Sequence, residues 1–393
     1  DWVVFDRGAP RYRPRRMRMV LALVGVFFGG CSGAGEALDT GGQGPLPTVP
    51  SGYRVEVVAT GLQVPWGIAF TSPTRMLVTE RLGRIRVIEG GVLQPQPIHV
   101  VDDVNTGSES GLMAIALHPN YSQNKYVYIA YAYGSGSESV RVRRLTDGGT
   151  SLTDPVTIIE GIPSAMNHAG CRLRFGPDGK LYITTGDAMN RQIAQQLGSL
   201  GGKTLRINDD GSIPQDNPFV GEQGARGEIW SLGHRNAQGI DFQPGTGIMI
   251  QTEHGPSGFD GPGGGDEINL VEKGKNYGWP TVHHDQSQAG MVSPLKQYTP
   301  AVAPASGAFY NGDLMPGIKG SYFFGTLRGE ALRRVIIENG QITLDQVFAS
   351  GVGRIREVAQ GPDGALYFTS SNRDGRGQAR TGDDRIFRVV PAP

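Results

Sequence analysis

A short unit recurs six times along this chain, and it limits the fold more than any other feature. Each copy is an apolar residue, a turn of Pro, Gly, Asn or Asp, and a run rich in Tyr, Ile, Val and Phe. The copies read AFTSPTRMLVTE from Ala69, ALHPNYSQNKYVYIAYAY from Ala116, RFGPDGKLYITTGD from Arg174 and DFQPGTGIMIQTEHG from Asp241. A looser GDLMPGIKGSYFFGTLRG starts at Gly312, and AQGPDGALYFTSSNRDG starts at Ala359. In the GPDG turns at Gly176 and Gly361, Pro presets φ and Gly tolerates positive φ. A second strand commonly follows, as in GRIRVI, VRVRRL, ALRRVII and DRIFRVV. Short period-two strands predict an all-β chain, with QIAQQLGSL near Gln192 as a short helix candidate. Repeats of several strands each predict propeller blades. Six copies therefore predict one six-bladed β-propeller over 51–393, around a central channel. Two unrelated β sandwiches are the alternative, but no break in composition marks a boundary between them.

The first fifty residues stand outside this pattern. Arg11, Arg13, Arg15, Arg16 and Arg18 form a positive run, followed by the apolar MVLALVGVFFGG and then Cys31. That stretch is short of the roughly 20 apolar residues that span a bilayer. Positive, then apolar, then small is the order of a signal peptide. Residues 1–31 are therefore expected to be a signal segment, with Met17 or Met19 as possible true starts. Gly29-Gly30-Cys31 resembles a bacterial lipobox, in which the cysteine is acylated; the plainer alternative is a secretory signal cut nearby. Residues 32–50 are a Gly/Pro/Ser tether. The protein is expected to be exported to the periplasm, and held at the outer membrane only through a lipid on Cys31.

Composition removes several functions. Lys+Arg and Asp+Glu both number 37, so the formal net charge is zero. That argues against a nucleic-acid footprint and against a polybasic membrane surface. With only Cys31 and Cys171, metal fingers and dithiol redox motifs are excluded. There is no G-x-S-x-G elbow and no H-E-x-x-H. GSLGGKT at Gly198 has Leu197 where a phosphate loop needs its first Gly, and no strand leads into it. NDDG at Asn208 has Arg206 where an EF-hand needs its first carboxylate, so it is a turn.

Some polar residues are not explained by turns. His168 precedes one predicted strand and Asp187 ends the next, so in a propeller their side chains can meet near the channel. A carboxylate beside an imidazole fixes its tautomer and stabilises its cation, as a general base requires. The plain alternative is a loop His and a turn Asp. GHRNAQG sets Arg235 and Asn236 between glycines, and a guanidinium held in a tight loop can grip a carboxylate. The Gly-rich segment EHGPSGFDGPGGGDEINLVEKGKNYGWP presents carbonyls with Asp266, Glu267 and Asn269. Those are hard oxygen donors, suited to Ca²⁺. Arg354 and Arg356 alternate along a strand start and share one face. Read from the residues alone, the set is an anion-and-calcium site with one candidate base.

Seven runs occur in one order: GLQVPWGIAF, ESGLMAIALHPNY, HAGCRLRFGPDGKLYITTGD, GGKTLRIN, GHRNAQGIDF, DEINLVEKGKNYGWP and GRIREVAQGPDGALYF. Together they resemble the soluble quinoprotein glucose/sorbosone dehydrogenase family, most closely its bacterial aldose sugar dehydrogenases. The resemblance spans roughly residues 53–390 and implies a six-bladed propeller holding pyrroloquinoline quinone (PQQ) through Ca²⁺ over the channel. It implies His168 as the base for an aldose's anomeric hydroxyl, Asp187 as its orienting carboxylate, and Arg235 near the reactive carbonyl. Asn236 matches a residue lining the quinone, and Glu109 stands where some members have a quinone-contacting Gln. Arg354 and Arg356 match carboxylate-binding arginines, with Arg328 in place of a usual lysine. The carbonyls of Gly255 and Pro256 match ligands of the cofactor calcium, and Asp266, Glu267 and Tyr277 a second, structural calcium site. Electrons would pass to an external quinone or cytochrome. The competing expectations are a cofactor-free propeller serving as a binding module, and a calcium-dependent lactonase or hydrolase on the same fold.

Overall fold

The computed structural model describes residues 44–135 and 138–393. The signal segment, Cys31 and most of the tether lie outside the described residues. Six antiparallel sheets are present, each built from consecutive strands except the last. Blade 1 is Pro65–Ser72, Arg75–Glu80, Arg84–Glu89 and Val92–Leu93, with His99–Val100 also on the third strand. Blade 2 is Leu112–Leu117, Tyr126–Tyr133, Ser139–Asp147 and Leu152–Pro163. Blade 3 is Arg172–Phe175, Leu181–Thr184, Lys203–Ile207 and Ile229–Leu232. Blade 4 is Ala237–Phe242, Met249–Glu253, Asp266–Val271 and Lys296–Tyr298. Blade 5 is Pro304–Phe309, Tyr322–Thr326, Ala331–Glu338 and Gln341–Ser350. Blade 6 joins Ile355–Gln360, Leu366–Ser370 and Ile386–Pro391 to Tyr53–Ala59, taken from the other end of the domain. The first strands of successive blades touch in a closed ring, with Ile355–Gln360 against Pro65–Ser72. The expected six-bladed propeller is present.

The strand sequences follow from their places. Second strands lie between two neighbouring blades and are buried on both faces, so they read as continuous apolar runs such as YVYIAYAY and YFFGT. The third strand of blade 2 is wetter and partly alternates. In Ser139–Asp147, Val140, Val142 and Leu145 are buried, while Arg141 stacks its guanidinium 3.4 Å above the Tyr133 ring. Each sequence repeat is the corner between a first and a second strand. In the third, Gly179 at φ +74° donates to the Gly176 carbonyl at 2.9 Å. The fifth is loose because its corner is widened by a 3₁₀ turn at Pro316–Ile318.

Two details differ from the sequence expectation. The helix candidate near Gln192 is a 3₁₀ turn, Arg191–Gln195. The end of the tether is docked rather than free: Thr48 pairs with Ser350, and Arg385 donates to the carbonyls of Gly44 and Pro45. Both details follow from backbone donors and acceptors seeking partners wherever the fold supplies them.

Candidate active site at the channel mouth

One relationship recurs among the blades and builds the site. An acidic residue at or just past the end of a second strand accepts hydrogen bonds from the segment leading into the first strand of its own or the next blade. Glu80 accepts from the Gln63 amide at 2.7 Å in blade 1. Asp187 accepts from His168 in blade 3, Glu253 from His234 Nδ1 (2.8 Å) and the Arg235 amide in blade 4, and Asp374 from Arg354 in blade 6. Basic residues at the strand entrances are thereby drawn to one mouth of the channel.

His168 Nδ1 lies 2.7 Å from Asp187 Oδ1, and both side chains are buried. Trp279 Nε1 donates to the other carboxylate oxygen at 2.8 Å, and the Met189 amide to the first at 2.9 Å. With Nδ1 donating to Asp187, Nε2 keeps its lone pair. The backbone permits this approach because residue 186 is glycine: a Cβ there would lie 1.9 Å from the His168 carbonyl. Gly186 also bridges to Asn236, and the Asp187 amide donates to the Arg235 carbonyl at 2.8 Å, tying blade 3 to blade 4.

A cavity of about 250 Å³ opens over these groups. His168, Glu109, Arg235, Asn236, Arg328 and Arg354 all line it, together with Gly255 and Pro256. Arg356 lines a small pocket beside it that shares Glu109, His254, Arg354 and Arg376, and is buried over the Trp66 ring at 3.9 Å. Arg354 and Arg356 share Asp374, at 2.7 and 3.3 Å. Burial pushes the Arg356 guanidinium down to about 10, with Asp374 opposing. Burial alone would raise Glu109, but His254, Arg376 and His168 hold it at about 2. Arg235 is held by Asp260 (2.7 Å), Ser257 Oγ (3.0 Å) and the His254 carbonyl (3.1 Å), and that loop lays Phe259 6.0 Å from the His168 ring. Deeper in the channel, Arg172 and Glu357 pair across its width, with Ser306 donating to Glu357 at 3.0 Å. They close the floor.

The expected second calcium set is not brought together as one cage of side chains. Asp266 is occupied by backbone amides: Gly255 at 2.8 Å, Val302 at 2.7 Å and Ala303 at 2.6 Å. The Tyr277 hydroxyl donates to the Leu270 carbonyl and accepts from the Glu272 amide, and its ring stacks on His234. Glu267 does lie beside Glu253; burial first and then Glu253 push it up to about 8. Among the described residues, no group of three or more His, Cys, Asp or Glu is arranged to hold a metal.

Five residues at the site were not singled out from the sequence: His254, Trp279, Asp260, Asp374 and Arg376. Asp374 and Asp187 follow the same strand of their repeats, but Asp374 lies two residues further on, with Asn372 at the matching position. His254 lines the cavity with its Nε2 buried and unpartnered.

Residues 62–380 match the glucose/sorbosone dehydrogenase family. The chain belongs to that family. It is 35% identical to the aldose sugar dehydrogenase YliI of Escherichia coli, over 84% of this chain and 93% of that one. It is 33% identical to quinoprotein glucose dehydrogenase B of Acinetobacter calcoaceticus, over 61% of this chain and 54% of that one. The PQQ-bound aldose sugar dehydrogenase of Streptomyces coelicolor superposes with a TM-score of 0.76 at 32% identity, covering 88% of this chain and all of that one. The propeller mouth is thus the place to look for this family member's chemistry.

Proposed function

We propose that this chain is a PQQ-dependent aldose dehydrogenase, oxidising the anomeric carbon of an aldose to the lactone. The observation that carries the reading is one cavity holding a base of fixed tautomer and a wall of arginines. The residues present suit such a group. PQQ bears three carboxylates, and Arg328, Arg354 and Arg356 offer charge to them; the orphaned His254 Nε2 offers a further polar contact. The Gly255 and Pro256 carbonyls are hard donors for Ca²⁺, which we include as the cation at that point. Bound PQQ supplies the hydride acceptor.

The chain's own residues do the rest. His168 Nε2 takes the proton of the anomeric hydroxyl, and Asp187 stabilises the imidazolium that results. Trp279 keeps Asp187 from turning away. Arg235, fixed by Asp260, holds positive charge over the cavity. The Arg172–Glu357 floor separates the cavity from the far end of the channel. Electrons leave to an external quinone or cytochrome. Export to the periplasm and anchoring through Cys31 complete the proposal, and Cys31→Ala should release the protein from membranes.

Reconstitution tests the reading. The purified chain is mixed with PQQ and Ca²⁺, and reduction of an artificial dye is followed with a panel of aldoses. Turnover that needs both additions and is lost in His168→Ala, with PQQ still bound, is the expected result. Absence of PQQ binding would overturn it.

A further inference from the structure

The balance of charge around the cavity gives a role to Arg376, which the proposed reaction leaves unused. Arg81, Arg354, Arg356 and Arg376 line a small pocket adjoining that cavity, and two carboxylates face them, Asp374 and Glu109. Asp374 is taken up by Arg354 and Arg356. Glu109 is taken up by Arg376, whose guanidinium donates to its Oε1 at 2.6 Å. The other oxygen accepts from the His168 amide at 3.2 Å and from Asn236 Nδ2 at 3.4 Å.

Arg376 is placed for this by the turn after Leu366–Ser370, where its own amide donates to Asp374 Oδ1 at 2.9 Å. From blade 6 its guanidinium also reaches Asn167 Oδ1 at 3.0 Å and Ser108 Oγ at 3.4 Å. It thus ties together loops leading into blades 2 and 3. Its side chain is 51% exposed, against 15% for Glu109, so it sits at the rim with the acid beneath it. The Arg376 guanidinium on one oxygen and two N–H donors on the other favour the ionised form of Glu109. An ionised carboxylate in this wall repels any polyanion entering the cavity unless its charge is offset.

We propose that Arg376 is a cofactor-positioning residue: by neutralising Glu109 it makes that side of the cavity admit the quinone's carboxylates, and Glu109 in turn holds Arg376 at the rim. The inference rests on the PQQ reading above. It predicts an asymmetry. Removing Arg376 alone exposes the carboxylate, whereas removing Glu109 alone frees a positive charge for the cofactor.

The test is PQQ affinity, measured by titration calorimetry in the presence of Ca²⁺ on the full chain and four variants. Arg376→Gln should bind PQQ about tenfold or more weakly, and Glu109→Gln more tightly than wild type. The double variant should recover most of what Arg376→Gln loses. Arg376→Lys, which keeps the charge, should stay within severalfold of wild type. Thermal unfolding of each variant reports whether it is folded, and Glu109→Gln carries the test should Arg376→Gln not fold. A wild-type chain that binds PQQ while Glu109→Gln binds no tighter, or while the double variant stays as weak as Arg376→Gln, overturns the inference alone. A wild-type chain that binds no PQQ overturns the reading and the inference together.

Discussion

His168 and Asp187 belong to the same blade, 19 residues apart, and meet at 2.7 Å with Trp279 from another blade closing the far side of the carboxylate. The pair is therefore held from both sides before any substrate arrives. Asp187→Asn should lower kcat by about 10²- to 10⁴-fold, because an amide can present its NH₂ to Nδ1 and favour the wrong tautomer. Trp279→Phe should cost less, since it removes one hydrogen bond and keeps the acid. Steady-state kinetics with PQQ saturating distinguishes the two, and equal losses would contradict this assignment of roles.

The channel floor sets a stability prediction. Arg172 pairs with Glu357 where both are almost fully buried, and Arg172 also donates to the Gln238 carbonyl at 3.2 Å. Glu357→Ala leaves an unpaired guanidinium in the channel and should destabilise the domain by about 3–5 kcal/mol. Replacing both partners, Arg172→Met with Glu357→Leu, should recover much of that loss. Urea midpoints measure both outcomes.

One buried carboxyl makes stability depend on pH. Burial first, and then Glu253, push Glu267 up to about 8 in the folded chain, above its ordinary value of 4.5. The folded state then binds more protons than the unfolded state between those values. Its contribution to stability falls as pH rises through that window, and the cost is complete above about 8. Tm should accordingly be lower at pH 8.5 than at pH 5.5, and Glu267→Gln should flatten the difference. Calorimetry at the two pH values reads it directly.

Cys171 should be chemically silent. It lies fully buried beside Arg172, and burial pushes its thiol up to about 12. In a Cys31→Ala chain, a thiol reagent at neutral pH should label it only as the protein unfolds, at the unfolding rate. Rapid labelling of the native protein would place Cys171 outside the core.

Much of the fold could be read from the residues because propeller blades repeat. The Pro/Gly corners mark the passage from first to second strands, and the count of corners is the count of blades. The loose copy at Gly312 keeps the aromatic run YFFGT of a second strand, and that strand is buried throughout. The closing of the ring was less visible: Tyr53–Ala59 pairs with Ile386–Pro391 across the whole domain, and no local pattern announces that partnership.

The site divides in the same way. His168, Asp187, Arg235, Arg354 and Arg356 stood out because each is a charged or titratable group at a strand entrance or exit. Sequence alone determined which residue types stand at the blade ends, since periodicity and turn chemistry act over a few neighbours. Which of them touch was decided only by the closed ring. Arg376 meets Glu109 from 267 positions away, Trp279 braces Asp187 from another blade, and Asp266 turns inward to satisfy three backbone amides. Such pairings depend on the angle between blades and on which buried donors lack a partner, and both are set when the ring closes.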